Sequence, residues 1–87
     1  MTELELRDTA VGMASDDWKE RFKSEYLQTK IRYQKLQKIC VKYIAGTLDF
    51  DLKCPIHLLE EQKLYMGRYL NSLEIRAELE GIDLEEV

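Results

Sequence analysis

A basic segment with interspersed tyrosines is the part of this sequence best equipped for binding chemistry. Residues 28–43, QTKIRYQKLQKICVKY, carry five lysines and arginines and no acid, although the whole chain has a formal charge of −4. An Arg–Tyr dipeptide occurs there as Arg32–Tyr33 and again later as Arg68–Tyr69. Arginine offers a planar fork for phosphate, and tyrosine offers a ring on which a base can stack. The combination indicates a site for a nucleotide-like anion.

Seven side chains are candidates for such a site. The basic ones are predicted to meet phosphates and the tyrosines to stack on bases: Arg21, Lys30, Arg32 and Arg68 for phosphate, and Tyr26, Tyr33 and Tyr69 for bases. The competing interpretation is structural. Tyrosines at heptad-like spacing usually belong to a core or an interface, and alternating lysines and arginines usually form a solvated helix face. The residue types alone leave both interpretations open.

Catalysis and metal binding find little support in the sequence. It has no nucleophile elbow, no glycine-rich phosphate loop and no set of residues with metal-ligand spacing. Its one histidine is His57. Cys40 and Cys54 fit a buried small hydrophobe and a loop thiol better than a disulfide framework. We therefore expect a protein that is not an enzyme and that uses no cofactor or metal.

The distribution of charge along the chain indicates the class of partner. Residues 1–18 sum to −4, residues 19–44 to +6 and residues 45–87 to −6. A chain polarised in this way can pair its own segments, attract a small anion to the middle one, or do both. Double-stranded DNA fits poorly because the chain is acidic overall and carries no DNA-binding motif. Because there is neither a membrane-length apolar run nor a basic signal-like N-terminus, we predict a cytoplasmic protein without a membrane partner.

Two long helices are expected to position the candidate residues. Apolar residues recur at steps of three and four along two stretches of the chain. The first stretch follows the N-cap candidate Asp17 and ends at Gly46. The second begins at Pro55 and ends at Gly81. We predict an all-α fold made of a short N-terminal helix or arm and a long antiparallel helical hairpin: residues 1–14 for the arm and 15–84 for the hairpin, with helices at about 16–44 and 55–80.

A hairpin of this kind has little interior, which bears on its oligomeric state. Each helix would be about 40 Å long, yet the chain contains one tryptophan, two phenylalanines and five tyrosines besides its aliphatic residues. Several apolar residues fall beside the main stripes, among them Leu27, Ile31, Leu58 and Leu64. A lone hairpin would leave some of these in water, so we predict a homo-oligomer. The simplest form is a dimer that makes a four-helix bundle.

Three segments of the sequence resemble a known group of proteins. SDDWKERFKSEYLQTKIRYQKL, AGTLDF and CPIHLLEEQKLYMGRYLNSLEIRAELEGIDL are similar to small helical-hairpin proteins carried by phages and prophages of Gram-positive gut bacteria and by crAss-like phages. The resemblance covers roughly residues 8–84. It implies a phage origin and a helical hairpin.

A more distant resemblance concerns function. The layout of a short helix and two long antiparallel helices is similar to the phage anti-CBASS type 2 proteins, hexamers that sequester cyclic di- and trinucleotide signals, and to Thoeris-inhibiting sponges. This resemblance implies a phage-encoded anti-defence protein that holds a cyclic oligonucleotide in the cytoplasm of the infected cell. The alternative is a protein-binding inhibitor or adaptor, either anti-CRISPR-like or a phage regulatory or assembly module.

Overall fold

The computed structural model describes residues 6–84 and shows only helices and connecting turns within that range. The folded chain measures 42 × 25 × 23 Å along its principal axes. The predicted all-α fold, a short N-terminal helix followed by two long helices, is confirmed, and both long helices begin and end within two residues of the predicted positions. The elements are a 3-10 turn at Leu6–Thr9, helix α1 at Ala10–Met13, helix α2 at Trp18–Ala45 and helix α3 at Ile56–Glu80.

Local chemistry explains where the long helices begin and end. The Asp17 carboxylate accepts a hydrogen bond from the backbone N–H of Lys19 at 2.9 Å, which satisfies one of the free donors at the start of α2. Gly46 and Gly81 end α2 and α3 with φ angles of 77° and 71°. A residue with a Cβ adopts this left-handed conformation only at a cost of about 1–2 kcal/mol. Glycine therefore fixes both helix ends where the sequence predicts them.

The two long helices are held together by one cluster of buried side chains. The cluster joins the first half of α2 to the second half of α3, as expected for an antiparallel pair. Leu73 is its most buried large residue, at 2% exposure. Tyr33 and Leu84 are partly buried against the cluster. Its buried members are Phe22, Tyr26, Leu70, Leu73, Ala77 and Ile82.

The N-terminal arm, residues 6–14, packs on α2 at the side turned away from α3. A Cβ added to Gly12 would lie 1.7 Å from the Oγ atom of Ser24, so α1 and α2 approach closely at this glycine. Leu27 and Ile31 lie on the same side of α2 as Ser24, since residues three, four and seven apart share a helix face. Leu27 is half-buried and Ile31 is 7% exposed. The arm contacts α2 and Ile31 is buried, whereas Leu58 and Leu64 are 44% and 51% exposed. The single chain therefore leaves some of these apolar residues in water, as expected.

Candidate functional site

Two tyrosine–glutamate hydrogen bonds link α2 to α3, one on each side of the hairpin. Tyr26 of α2 donates to Glu74 of α3 at 2.6 Å. Tyr69 of α3 donates to Glu25 of α2 at 2.5 Å. Because Glu25 and Tyr26 are adjacent in sequence, they point about 100° apart around α2. The bonds therefore define two sides of the hairpin, which we call the Tyr26 side and the Tyr69 side.

Both of these hydroxyls are held in the protonated form. Burial, assisted by the hydrogen bond to Glu74 and by its negative charge, raises the pKa of Tyr26 from 10.0 to about 12. The hydrogen bond to Glu25 is the main cause of a raised pKa for Tyr69, with burial and the charge of Glu25 acting in the same direction and Arg76 opposing them. Each hydroxyl is thus engaged with a carboxylate of the neighbouring helix.

A groove on the Tyr26 side brings two of the predicted site residues together. We call it the Tyr33 groove; Tyr33 is contributed by α2, and the other lining residues all belong to α3. Its volume of about 450 Å³ lies within the range of small-molecule sites. Two cations and one acid line it, so its charge favours an anion. The lining residues are Tyr33, Glu60, Lys63, Leu64, Gly67, Arg68 and Asn71.

A larger pocket on the same side holds two other predicted residues in acidic surroundings. Tyr26 and Lys30 both line it, and the Lys30 ammonium lies 5.7 Å from the centre of the Tyr26 ring. Three carboxylates, those of Glu74, Glu78 and Asp83, line the same pocket and outnumber the lysine. Like charges repel, so this pocket is a poor site for phosphate. The Tyr26 ring is 5% exposed and belongs to the core cluster, which leaves little of it for stacking.

The three remaining predicted residues lie outside both cavities. Arg21 donates a hydrogen bond to the backbone carbonyl of Ser15 at 2.7 Å, which ties the start of α2 to the preceding turn. Arg32 is exposed and lines neither cavity. Tyr69 is 42% exposed on the Tyr69 side. The structure therefore joins Tyr33 with Arg68 and Tyr26 with Lys30, and it does not assemble all seven candidates into one site.

Sequence reasoning did not select five residues of the Tyr33 groove: Glu60, Lys63, Leu64, Gly67 and Asn71. Lys63, Gly67 and Asn71 follow one another at steps of four on α3, so they form a row along the helix surface. Gly67 was the feature of the sequence that could have indicated this groove. A glycine inside a helix lowers helix stability by about 1 kcal/mol relative to alanine. Within residues 6–84 no group of three or more His, Cys, Asp or Glu side chains is arranged to hold a metal ion.

Comparison with known proteins gives one match. A family model described as Sequestin matches residues 16–79, which is 64 of the 87 residues and includes nearly all of both long helices and the loop between them. No curated protein and no solved structure matches the chain. Across residues 6–84, no helix has the length and apolar character needed to cross a membrane. The resemblance to phage proteins stays a prediction.

Proposed function

This chain belongs to the Sequestin family, and we propose that it binds and sequesters a cyclic oligonucleotide signal without altering it chemically. The family name is consistent with sequestration. The observation that carries the proposal is the Tyr33 groove, where a tyrosine ring lies in one cavity with the cations Lys63 and Arg68. A nucleotide needs these two elements together, a ring against which its base packs and positive charge for its phosphate.

We further propose that the protein helps a phage to evade the defences of its host. A phage-encoded protein in the host cytoplasm would lower the free concentration of a cyclic di- or trinucleotide immune signal, so that the effectors of the host stay inactive. The resemblance to anti-CBASS type 2 proteins supports this role. Sequestration depends on affinity and abundance alone, so it requires no catalytic residue and no cofactor.

Thermal unfolding in the presence of candidate signals tests the proposal directly. The purified protein would be heated with a panel of cyclic dinucleotides, cyclic trinucleotides and cyclic ADP-ribose-type compounds. A ligand at about 100 times its Kd adds about 2.7 kcal/mol to the stability of the folded state. The melting temperature should then rise by about 10–20 °C, since each kcal/mol moves it by about 4–8 °C in a chain of this size.

A panel without any shift would contradict sequestration of these signals. It would favour the alternative function, a protein-binding inhibitor or adaptor. Ile75 and Leu79 of α3, which are 53% and 81% exposed, provide an apolar surface for that role.

Substitution of the two arginines of the Arg–Tyr dipeptides should have unequal effects on ligand affinity. Arg68 lines the Tyr33 groove and Arg32 does not, so Arg68→Gln should weaken binding by about ten-fold or more, the usual effect of losing a charge-assisted hydrogen bond. Arg32→Gln should change the Kd by less than about three-fold. Both side chains are exposed, so both variants should fold normally. Isothermal titration measures the difference.

Two results of this titration would contradict the placement of the phosphate site. Equal losses in both variants would indicate an unspecific effect of charge. A larger loss in Arg32→Gln would move the phosphate site out of the Tyr33 groove.

Self-association is the second part of the proposal, and the Tyr69 side is the surface that would serve it. Apolar residues there are well exposed in the single chain. Those on α3 lie four and seven residues apart and therefore share a face, and Trp18 precedes Glu25 of the same side by seven residues. Their exposed fractions lie between 42% and 60%: Trp18, Leu58, Tyr65 and Tyr69. We call this surface the Tyr69 face.

Charge complementarity favours a second copy of the same chain on the Tyr69 face. The segment that contains α2 carries +6, and the segment that contains α3 carries −6. A two-fold axis parallel to the helices would place each α2 over the α3 of the second copy, with basic and acidic helices antiparallel to each other. The alternative two-fold axis, perpendicular to the helices, would place α2 on α2 and oppose like charges. The proposed assembly is therefore a four-helix dimer.

Tyr65→Lys should weaken this dimer by about ten-fold or more, because it replaces an apolar contact by a cation that faces the basic α2 of the second copy. Leu64→Lys is the matched control, since it introduces the same charge on α3 at a residue that is 51% exposed and lines the Tyr33 groove instead of the Tyr69 face. Sedimentation velocity over a range of concentrations measures both variants. A wild-type protein that remains monomeric at every concentration would contradict the dimer, as would equal effects of the two lysines.

A further inference from the structure

The larger pocket on the Tyr26 side has no role in the proposed function. Its volume is about 860 Å³, and three carboxylates outnumber its one lysine. Part of its lining is buried and apolar, since Ala77 and Ile82 are 3% and 7% exposed. Glu78, one of the three carboxylates, is exposed and has no ion pair within residues 6–84. We call this pocket the acidic pocket. It suits an apolar group flanked by cations.

A surface with the opposite charge lies on α2, nearer the loop end of the hairpin. It is a concave region of about 550 Å³, and every residue that lines it is exposed: Gln34, Gln37, Lys38, Val41 and Lys42. Val41, at 56% exposure, provides its apolar part. Within the described part of the chain, residues 6–84, no carboxylate lines this region and neither lysine has an ion pair. We call it the Lys42 surface.

The two surfaces cannot meet within one chain. Lys30 of the acidic pocket precedes Lys42 on α2 by three turns and more, which places them about 18 Å apart along the helix axis at 1.5 Å per residue. Helix α2 runs without a break from Trp18 to Ala45, so it cannot fold back on itself. Any pairing of the Lys42 surface with the acidic pocket therefore joins two chains.

We propose that the Lys42 surface of one chain docks on the acidic pocket of a second copy, head to tail. Val41 would cover the apolar lining of the pocket, while Lys38 and Lys42 would face its carboxylates. An apolar centre with a charged rim of opposite sign on each partner is typical of specific protein interfaces. A second copy is the occupant because the same chain carries both complementary surfaces.

This contact is separate from the proposed dimer. It uses none of the residues of the Tyr69 face, so one chain can make both contacts at once. Because it joins two different surfaces of identical chains, it is heterologous and links copies beyond the dimer. It does not require a bound nucleotide, so it does not depend on the proposed function.

Exchange of one pair of charges tests the contact. Lys42→Glu places a carboxylate against the acidic pocket, and Glu78→Lys places an ammonium group against the Lys42 surface. Each variant alone should weaken the association beyond the dimer by about ten-fold or more, because like charges then face each other. An equimolar mixture should regain it, because the carboxylate introduced at position 42 meets the ammonium introduced at position 78. Sedimentation velocity over a range of concentrations measures the three samples.

Lys53→Glu is the matched control, since it makes the same change of charge at an exposed residue of the loop that lines neither surface. It should leave the association unchanged. A wild type that never exceeds a dimer would refute the head-to-tail contact and leave the dimer on the Tyr69 face standing. A mixture that stays dissociated would refute the pairing of Lys42 with the acidic pocket, as would an equal loss in Lys53→Glu.

Discussion

Leu73→Ala should lower the free energy of unfolding by about 3 kcal/mol, within the range of about 2–5 kcal/mol measured for buried leucines truncated to alanine. Leu73 is 2% exposed in the cluster that joins α2 to α3, so its removal leaves a cavity where the two helices meet. A chain of 87 residues has a total stability of about 4–13 kcal/mol. The melting temperature should therefore fall by about 12–24 °C. Urea denaturation followed by circular dichroism measures the change.

Leu79→Ala is the matched control for this prediction. It makes the same truncation six residues later on the same helix, at a side chain that is 81% exposed. The expected change lies within about 0.5 kcal/mol, as for most surface substitutions. If both variants lost the same stability, the cluster around Leu73 would not be what holds the hairpin together. Equal losses would also remove the basis for joining Tyr33 of α2 to Arg68 of α3, since that pairing depends on how the two helices pack.

The helices themselves were predictable because their signals are local. A cap at Asp17, glycines after each helix and apolar residues at steps of three and four depend only on neighbours in sequence. The position of the arm was not predictable in this way. It depends on the contact of Gly12 with Ser24, two residues that sequence spacing does not relate. The burial of Ile31 follows from the position of the arm.

The candidate site was predicted in part, and the two Arg–Tyr dipeptides show why. Both look alike in sequence, but Tyr33 lies on the stripe of α2 that packs against the core cluster, whereas Tyr69 immediately precedes the buried Leu70. Tyr69 therefore points about 100° away from Leu70, which lies on the side of α3 that contacts α2. As a result Arg68 lines the groove and Arg32 does not. The sequence is enough to identify both dipeptides as candidates. Which of them lines the Tyr33 groove depends on how the two helices pack.

Raising the pH above 10 should destabilise the protein through Tyr26. Its pKa is about 12 in the folded chain and 10.0 for the unperturbed side chain, so the unfolded state loses its proton first. The stabilising contribution is complete below pH 10 and is lost as the pH rises towards 12. A single group with these values lowers the free energy of unfolding by about 1.4 kcal/mol at pH 11 and about 2.3 kcal/mol at pH 12. Urea denaturation at a series of pH values measures this loss.

Tyr26→Phe isolates the contribution of this hydroxyl from all other alkaline titrations. Phenylalanine keeps the ring in the core and has no proton to lose, so the difference in stability between wild type and variant should shrink from pH 9 to pH 12. Tyr43→Phe is the control for removal of a phenol hydroxyl, because Tyr43 is 46% exposed and lies outside both the core cluster and the Tyr69 face. Parallel curves for wild type and Tyr26→Phe would contradict a raised pKa of Tyr26, and with it both the burial of this hydroxyl and its bond to Glu74 in solution.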